Sequence, residues 1–510
     1  MRARTHHRIA EFGDFQTPPR LAAQVCRLLN ELHVSPASIV EPTCGVGNFL
    51  FAAVGAFPAA RQAIGIDINP HHITAAQQRV HDGSCAVDLI KGDFFSTEWQ
   101  DLLRECADPI LVVGNPPWVT NTHLSKLGSS NTPEKSNEIG LSGYDAISGK
   151  SNFDISEWML IRLLDWLNGR HATLAMLCKT SVARKVLAYA WRSEIALHSA
   201  SIHLIDAHES FGAAVEACLL VCVLSPAAQC DTCGVFPNLS CRDTATNIGY
   251  RDGYLLANVD AYQRWKTLLG PERYRWRSGI KHDCSAVMEL TRTASAYVNG
   301  LGEKVELEDD YLFPLLKSSD IANNRVCRPK RYALVTQRRV GDDTRVIQHL
   351  APKTWRYLES HAPLLANRRS AIYANQPQFS VFGVGDYAFA PWKVAISGLY
   401  KGAEFRVVPP FVGKPCVLDD TCYFLACDSE DEARCIGDLL GSEAASEFYS
   451  AFLFADSKRP VTVDLLRRLD LLALARMLGS EQRFREFLDK RARAGKYGTQ
   501  REHVQHLLFS

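Results

Sequence analysis

No apolar run in the 510-residue chain approaches the ~20 residues of a membrane span, and Met1-Arg2-Ala3-Arg4 opens no secretory signal. Net charge is nearly absent as well, with 57 Lys and Arg against 56 Asp and Glu. A nucleic-acid binder of this balance must concentrate its positive charge locally. Internal repeats and low-complexity tracts are missing, which excludes solenoid and disordered architectures. No carboxylate-lysine cluster of a nuclease stands out. Cys230-x-x-Cys233 with Cys241 lacks a fourth ligand at finger-like spacing, so no metal is expected. Cys218 and Cys222 lie inside an apolar strand, and reduced core thiols account for most of the sixteen cysteines. These absences describe a soluble cytoplasmic protein, long enough for two or three domains.

What is present begins with Asn115-Pro116-Pro117-Trp118, at the end of the apolar run Ile110-Leu111-Val112-Val113. Open α/β sheets place their chemistry at the carboxyl ends of strands. The prolines fix φ and carry no N–H, so their carbonyls can be aimed with little freedom. An exocyclic amino group here would meet two acceptors, the Asn115 side-chain oxygen and the Pro116 carbonyl. Trp118 offers a face for a planar base. Such parts suit activation of a conjugated, weakly nucleophilic –NH2 toward an electrophile. A plain strand-ending turn is the alternative, since Asn-Pro and Pro-Pro are common breakers.

Upstream, the strand Ile39-Val40 leads into Glu41-Pro42-Thr43-Cys44-Gly45-Val46-Gly47 and then a helix. Gly45 and Gly47 allow a ligand close to the backbone. A second strand ends in Asp67, placed to accept from ribose hydroxyls. A third is followed by Asp93, which could accept from an adenine amino group, and Phe94, which could pack on the ring. A glycine turn with a ribose acid also describes dinucleotide enzymes. Here Leu50 replaces the third glycine of that fingerprint, and Glu41 would repel a pyrophosphate but suit a cationic ligand. Ahead of these, residues 12–20 run into a helix from Leu21 to Leu32, with Thr17-Pro18 as its start. The same turn could close over the cofactor.

In this order, the motifs resemble the adenine-N6 DNA methyltransferases of the gamma arrangement, over roughly the first 225 residues. The resemblance implies an α/β, Rossmann-like catalytic domain that uses S-adenosylmethionine, then a mixed α+β target-recognition domain. Matching positions assign the cofactor to Thr17, Glu41, Cys44, Gly45, Gly47, Asp67, Asp93 and Phe94. They assign catalysis to Asn115, Pro116, Pro117 and Trp118. Phe211, in the linker between strands 201–205 and 217–224, matches the aromatic that sandwiches a flipped base; otherwise it is a hydrophobic plug. The partners implied are double-stranded DNA and a cognate restriction endonuclease, with the enzyme a monomer. Trp118 departs from the commoner tyrosine or phenylalanine, and Lys179 stands near the family's usual proline. Lys179 reads as a surface lysine or a phosphate contact, and Asp154 as a cap for the helix that follows. Cytosine-N4 and protein-glutamine methylation share the Asn-Pro-Pro-aromatic logic, and a subunit of a larger restriction assembly is a further alternative.

The expected domains are 1–225 catalytic, 226–428 target recognition and 429–510 helical. Residues 226–253 read as a turn-rich connector, with a helix near 260–269. The polar stretch 120–152 is expected to order over substrate. Basic clusters at Arg273, Arg275, Arg277 and Lys281, and from Arg325 to Arg339, are candidate DNA contacts. Arg483, Arg485, Lys490, Arg491, Arg493 and Lys496 read as a solvated face.

Overall fold

The computed structural model describes residues 16–81, 83–119, 154–293, 296–454, 456–457 and 459–494. Residues 12–15, the 120–152 stretch expected to order over substrate, Asn152, Phe153 and Lys496 lie outside the described residues. The chain forms a mixed α/β fold in two compact units, Met1–Val259 and Asp260–Ser510.

The first unit is built on one ten-stranded sheet. Helix α1 (Pro19–Glu31) precedes β1 (Ser38–Glu41), α2 (Asn48–Ala56), β2 (Gln62–Asp67), α3 (Pro70–Gln77), β3 (Ala86–Lys91), α4 (Trp99–Glu105) and β4 (Ile110–Gly114). Next among the described elements come α5 (Ile155–Leu167), β5 (Ala172–Lys179), α6 (Thr180–Arg192), β6 (Leu197–Ile205), α7 (Ala207–Phe211) and β7 (Ala217–Leu224). Strands β8 (Thr232–Phe236), β9 (Thr246–Arg251) and β10 (Tyr254–Leu256) complete it. The order across the sheet is β10-β9-β8-β6-β7-β5-β4-β1-β2-β3. β5, β4, β1, β2 and β3 run parallel, and β7 enters antiparallel between β5 and β6. Buried on both faces, β4 reads as an unbroken apolar run, and β1 and β5 carry apolar centres, Ile39-Val40 and Leu174 to Cys178. One core joins Leu21, Val25 and Leu29 of α1 to Phe49 and Leu50 of α2 and to Leu111 and Val113 of β4.

Two expectations need correction here. Residues 226–253 are not a connector: β8 pairs parallel with β6, and β9 and β10 extend the same sheet past residue 225. Their apolar alternation is broken by Gly234 and Gly249, but Asp252-Gly253 between β9 and β10 is a two-residue hairpin turn. Both residues have positive φ (51° and 83°), the geometry Asp-Gly favours and a signal that was open to reading. Thr17 is not the cap of α1. Pro18 holds that position at φ −58° with Pro19 at the first turn and no side-chain cap bond, so the proline pair starts the helix.

The second unit holds two smaller sheets. One has strands in the order 277–278, 422–427, 392–397 and 405–408; the other runs 304–305, 297–299, 289–292, 331–334, 312–316 and 417–418. From Glu430 onward the described elements are helices. The near-zero total charge divides unequally. Residues 1–259 carry 20 Lys and Arg against 25 Asp and Glu, whereas residues 260–510 carry 37 against 31. Among the described residues no helix is long and apolar enough to cross a membrane.

Candidate active site

Because β4, β1, β2 and β3 are adjacent and parallel, their carboxyl ends share one edge, and each delivers one segment singled out above. β1 ends in Glu41 and the glycine loop, β2 in Asp67, β3 just before Asp93, and β4 just before Asn115.

Glu41 is not a solvated strand-end acid. It is 3% exposed, and its Oε2 accepts a hydrogen bond from the Leu50 backbone N–H at 2.8 Å. Leu50 lies in the first turn of α2, so a strand-end carboxylate fills a donor that no local cap satisfies. Burial pushes the Glu41 carboxyl well above the usual carboxylate range, against the lowering effect of the Leu50 hydrogen bond; the Asp67 charge pushes it further up. Glu41 also borders β4, since a Cβ placed on Gly114 would lie 3.5 Å from its Cγ.

Asp67 ties the loop to β2. Its Oδ2 accepts the Gly45 N–H at 2.8 Å, and its Oδ1 accepts the Asn69 N–H at 2.8 Å, with His72 Nδ1 at 3.3 Å. A carboxylate has about four acceptor sites, so capacity for further donors remains. Gly45 and Gly47 have φ of +53° and +80°. A Cβ on Gly47 would meet the Phe51 ring at 2.6 Å, and one on Gly45 would clash with the Gln16 side chain. Cys44 is buried, and its thiol is pushed up by burial and by the Glu41 and Asp67 carboxylates. In the same loop Thr43 Oγ1 is buried with no hydrogen-bond partner among the described residues.

Sequence reasoning missed three residues that hold this loop. Gln16 Oε1 accepts the Val46 N–H at 3.2 Å. Asn48 Nδ2 donates to the Thr17 carbonyl at 2.8 Å. Arg79 donates to the Val46 carbonyl and Asn48 Oδ1 while lying 4.6 Å over the Phe51 ring. Only Asn48, next to the glycines, carried a local signal.

Asp93 Oδ1 accepts the Phe95 N–H at 3.0 Å. Phe94 is 5% exposed, with its ring centroid 4.9 Å from Trp99 and 5.9 Å from Trp166. The half-buried ring beside it is Phe95, 5.3 Å from Trp158.

At the end of β4, Pro116 is buried and the Asn115 side-chain oxygen is shielded from solvent. Trp118 Nε1 donates to the Leu177 carbonyl at 3.3 Å. The structure brings Trp118 and Phe211 together across 92 intervening positions, edge to face at 5.2 Å and 73°. Lys179 is not a surface lysine: its Nζ donates to the Trp118 carbonyl at 3.1 Å and pairs with Asp154 Oδ2 at 2.5 Å. Its side chain is 22% exposed and that of Asp154 8%. Asp154 caps α5 through the Ser156 N–H, as expected, and its other oxygen binds Lys179. No spacing rule links residues 118, 154 and 179, because strand order alone makes them neighbours.

Cys230 donates to the Thr232 carbonyl and Cys241 to the Asp243 carbonyl, while Cys233 is buried. Among the described residues no three His, Cys, Asp or Glu side chains form a metal-binding group. Of the expected DNA-contacting cations, Arg277 is 4% exposed and stacks 4.3 Å from the Tyr387 ring. Arg491, expected on a solvated face, bonds Glu432 and lies over Tyr274.

No protein-family model matches the sequence. The chain is 44% identical over 470 residues to the Type II methyltransferase M.NspV of Nostoc sp., covering 92% of this chain and 98% of that one. The fold matches the type IIL restriction-modification enzyme MmeI, solved in complex with DNA, at a TM-score of 0.55 and 12% identity. That match covers 96% of this chain and 74% of MmeI, and it is a likeness of fold. Near-full-length identity with the Nostoc protein establishes that the chain belongs to the type II methyltransferases.

Proposed function

We propose that the chain methylates N6 of a flipped adenine at a specific duplex DNA site, with S-adenosylmethionine as donor. Its setting would be a restriction-modification system, with the chain acting as a monomer beside a separate endonuclease. One observation carries the reading: the Glu41–Gly47 loop after β1 and the Asn115–Trp118 segment after β4 meet at neighbouring strand ends, where Glu41 lies against Gly114. Cofactor loop and amine-activating segment therefore share one edge.

The residues fit the cofactor. Two positive-φ glycines admit a ligand against the backbone, Thr43 offers a buried hydroxyl, and the buried Glu41 carboxyl suits a cationic group. Thr17, Glu41, Cys44, Gly45, Gly47, Asp67, Asp93 and Phe94 would hold it. When bound, S-adenosylmethionine supplies an electrophilic methyl group on a sulfonium sulfur.

The chain's part is to prepare the nucleophile. An adenine amino group cannot reach a buried site from within the duplex, so the base leaves the stack. Asn115 Oδ1 and the Pro116 carbonyl accept its two N–H bonds, which frees the nitrogen lone pair from the ring. Pro117 fixes the backbone, and Trp118 and Phe211 hold the base once their mutual contact opens. The proton leaves to solvent after transfer, so no strong base is required. Residues 226–428, most of them in the basic second unit, would read the target, with 429–510 as a helical end.

Sequencing of modified bases in DNA from cells expressing the chain, beside an Asn115→Ala control, tests this reading. The expected result is N6-methyladenine in one short motif with the active chain only. N4-methylcytosine would establish the cytosine alternative instead. Unmodified DNA from cells, but activity with an added subunit, would identify part of a larger assembly. Methylated protein glutamine would overturn the DNA reading.

A further inference from the structure

Several candidate cations of the second unit are held by carboxylates. Arg325 and Arg331 pair with Asp320, Arg339 with Asp386 at 2.9 Å, and Lys281 with Asp283 and Asp420, while Arg345, outside those clusters, pairs with Asp343. Arg338 differs. It is exposed, and among the described residues its guanidinium has no carboxylate partner; it lies 4.3 Å from the Phe389 ring centroid and 5.4 Å from that of Phe313.

The loop that presents it is built to be stiff. Asp342 Oδ2 accepts the backbone N–H groups of Arg338 and Arg339 at 3.2 and 2.8 Å. Gln337, 5% exposed, donates to the Asp342 carbonyl at 2.7 Å and accepts the Val381 N–H at 3.0 Å. Thr336 Oγ1 donates to the Phe379 carbonyl at 2.8 Å. A loop anchored from both sides thus places one uncompensated guanidinium on two aromatic rings. Stacking restrains the plane of the fork and leaves its N–H edge to a ligand. A planar two-donor edge matches the O6 and N7 acceptors of guanine in the major groove.

We propose that Arg338 is a specificity-determining residue that reads the major-groove edge of a guanine in the target site. The assignment rests on the reading of the chain as a DNA methyltransferase. Arg338 donates two N–H bonds to guanine, Phe313 and Phe389 set its plane, and Asp342 and Gln337 set its height above the unit.

The test compares the full-length chain with Arg338→Met, which keeps the apolar stem over the rings, Arg338→Lys, which keeps the charge, and Arg345→Met. Methylated sites are sequenced from cells expressing each, rates are measured on duplexes carrying single base-pair changes, and thermal unfolding checks the fold. At one G·C pair of the wild-type motif, both Arg338 variants should lose discrimination by roughly 10- to 100-fold. The other positions, and Arg345→Met throughout, should keep wild-type preference. Loss of rate spread evenly over all sequences, restored by Arg338→Lys, would make Arg338 a phosphate contact and overturn the guanine assignment. A shifted melting temperature with unchanged preference would make it a packing residue and equally overturn it. A wild-type chain that methylates protein and no DNA would sink the function reading itself, an outcome seen before any variant is compared.

Discussion

At the scale of single residues, the site is held by charges withdrawn from water. Burial opposes the charged form of Glu41 and raises its carboxyl well above the usual range. Its folded value lies above the unfolded one, so its contribution to stability is complete below the ordinary carboxyl range and is lost as pH rises through the raised value. A cation bound beside it favours the carboxylate. Cofactor binding below the raised value should therefore release up to about one proton, seen by titration calorimetry in buffers of different ionisation heat. Glu41→Gln should bind with no such release; an unchanged proton count would remove Glu41 from the cofactor site. Lys179 makes a separate case. Its bond to the Trp118 carbonyl and pairing with Asp154 imply that Lys179→Met lowers kcat at least several-fold with cofactor KM within about twofold, since hydrogen bonds to charged groups are worth roughly 1.5–3 kcal/mol. Adding Asp154→Asn removes the unpaired charge and should recover melting temperature but not kcat. Recovery of both would reduce the pair to a structural staple. The segments Glu41–Gly47 and Asn115–Trp118 were legible from residue type and order, whereas the Glu41–Leu50 and Lys179–Trp118 bonds were not, because each joins atoms that only the folded sheet makes neighbours.

At the scale of elements, legibility followed burial. β4, β5 and β7 are buried along nearly their whole length and show as largely apolar runs, and β7 was expected at its observed bounds, 217–224. β8 to β10 hide because they are short, half-buried and interrupted by glycine, so local pattern was overruled by pairing to β6. A chain ended at residue 225 would bare the β6 edge and should aggregate, while one ended at Val259 keeps the sheet whole. Soluble yield and circular dichroism of the two truncations decide this; equal solubility would mean that β8 is dispensable. The turn into α2 makes a sharper prediction. Gly47→Ala must hold a left-handed conformation beside the Phe51 ring, at roughly 1–2 kcal/mol for the backbone alone. A melting temperature lowered by roughly 2–8 °C is expected, and an unchanged one would show that the loop relaxes freely.

At the scale of the whole molecule, neutrality conceals a division: residues 260–510 hold the excess of positive charge and residues 1–259 the excess of negative. DNA affinity should fall steeply with salt, with a slope near −0.9 for each phosphate neutralised. Replacing exposed cations such as Arg328 and Lys330 should flatten that slope, and replacing exposed cations of the first unit should not. Equal effects from both would spread the DNA surface over the whole chain. The contact between Trp118 and Phe211 has its own bearing at this scale. An aromatic pair of this kind is worth roughly 0.5–1.5 kcal/mol; in the role proposed for these rings, a base entering between them gives that up, a factor of about 2 to 10 in occupancy. Free adenine nucleotides, abundant in any cell, meet that cost with nothing to offset it. A duplex bound elsewhere as well would absorb it, so under the proposed role the idle enzyme, its slot filled by its own rings, would be shielded from wasting methyl groups on metabolites.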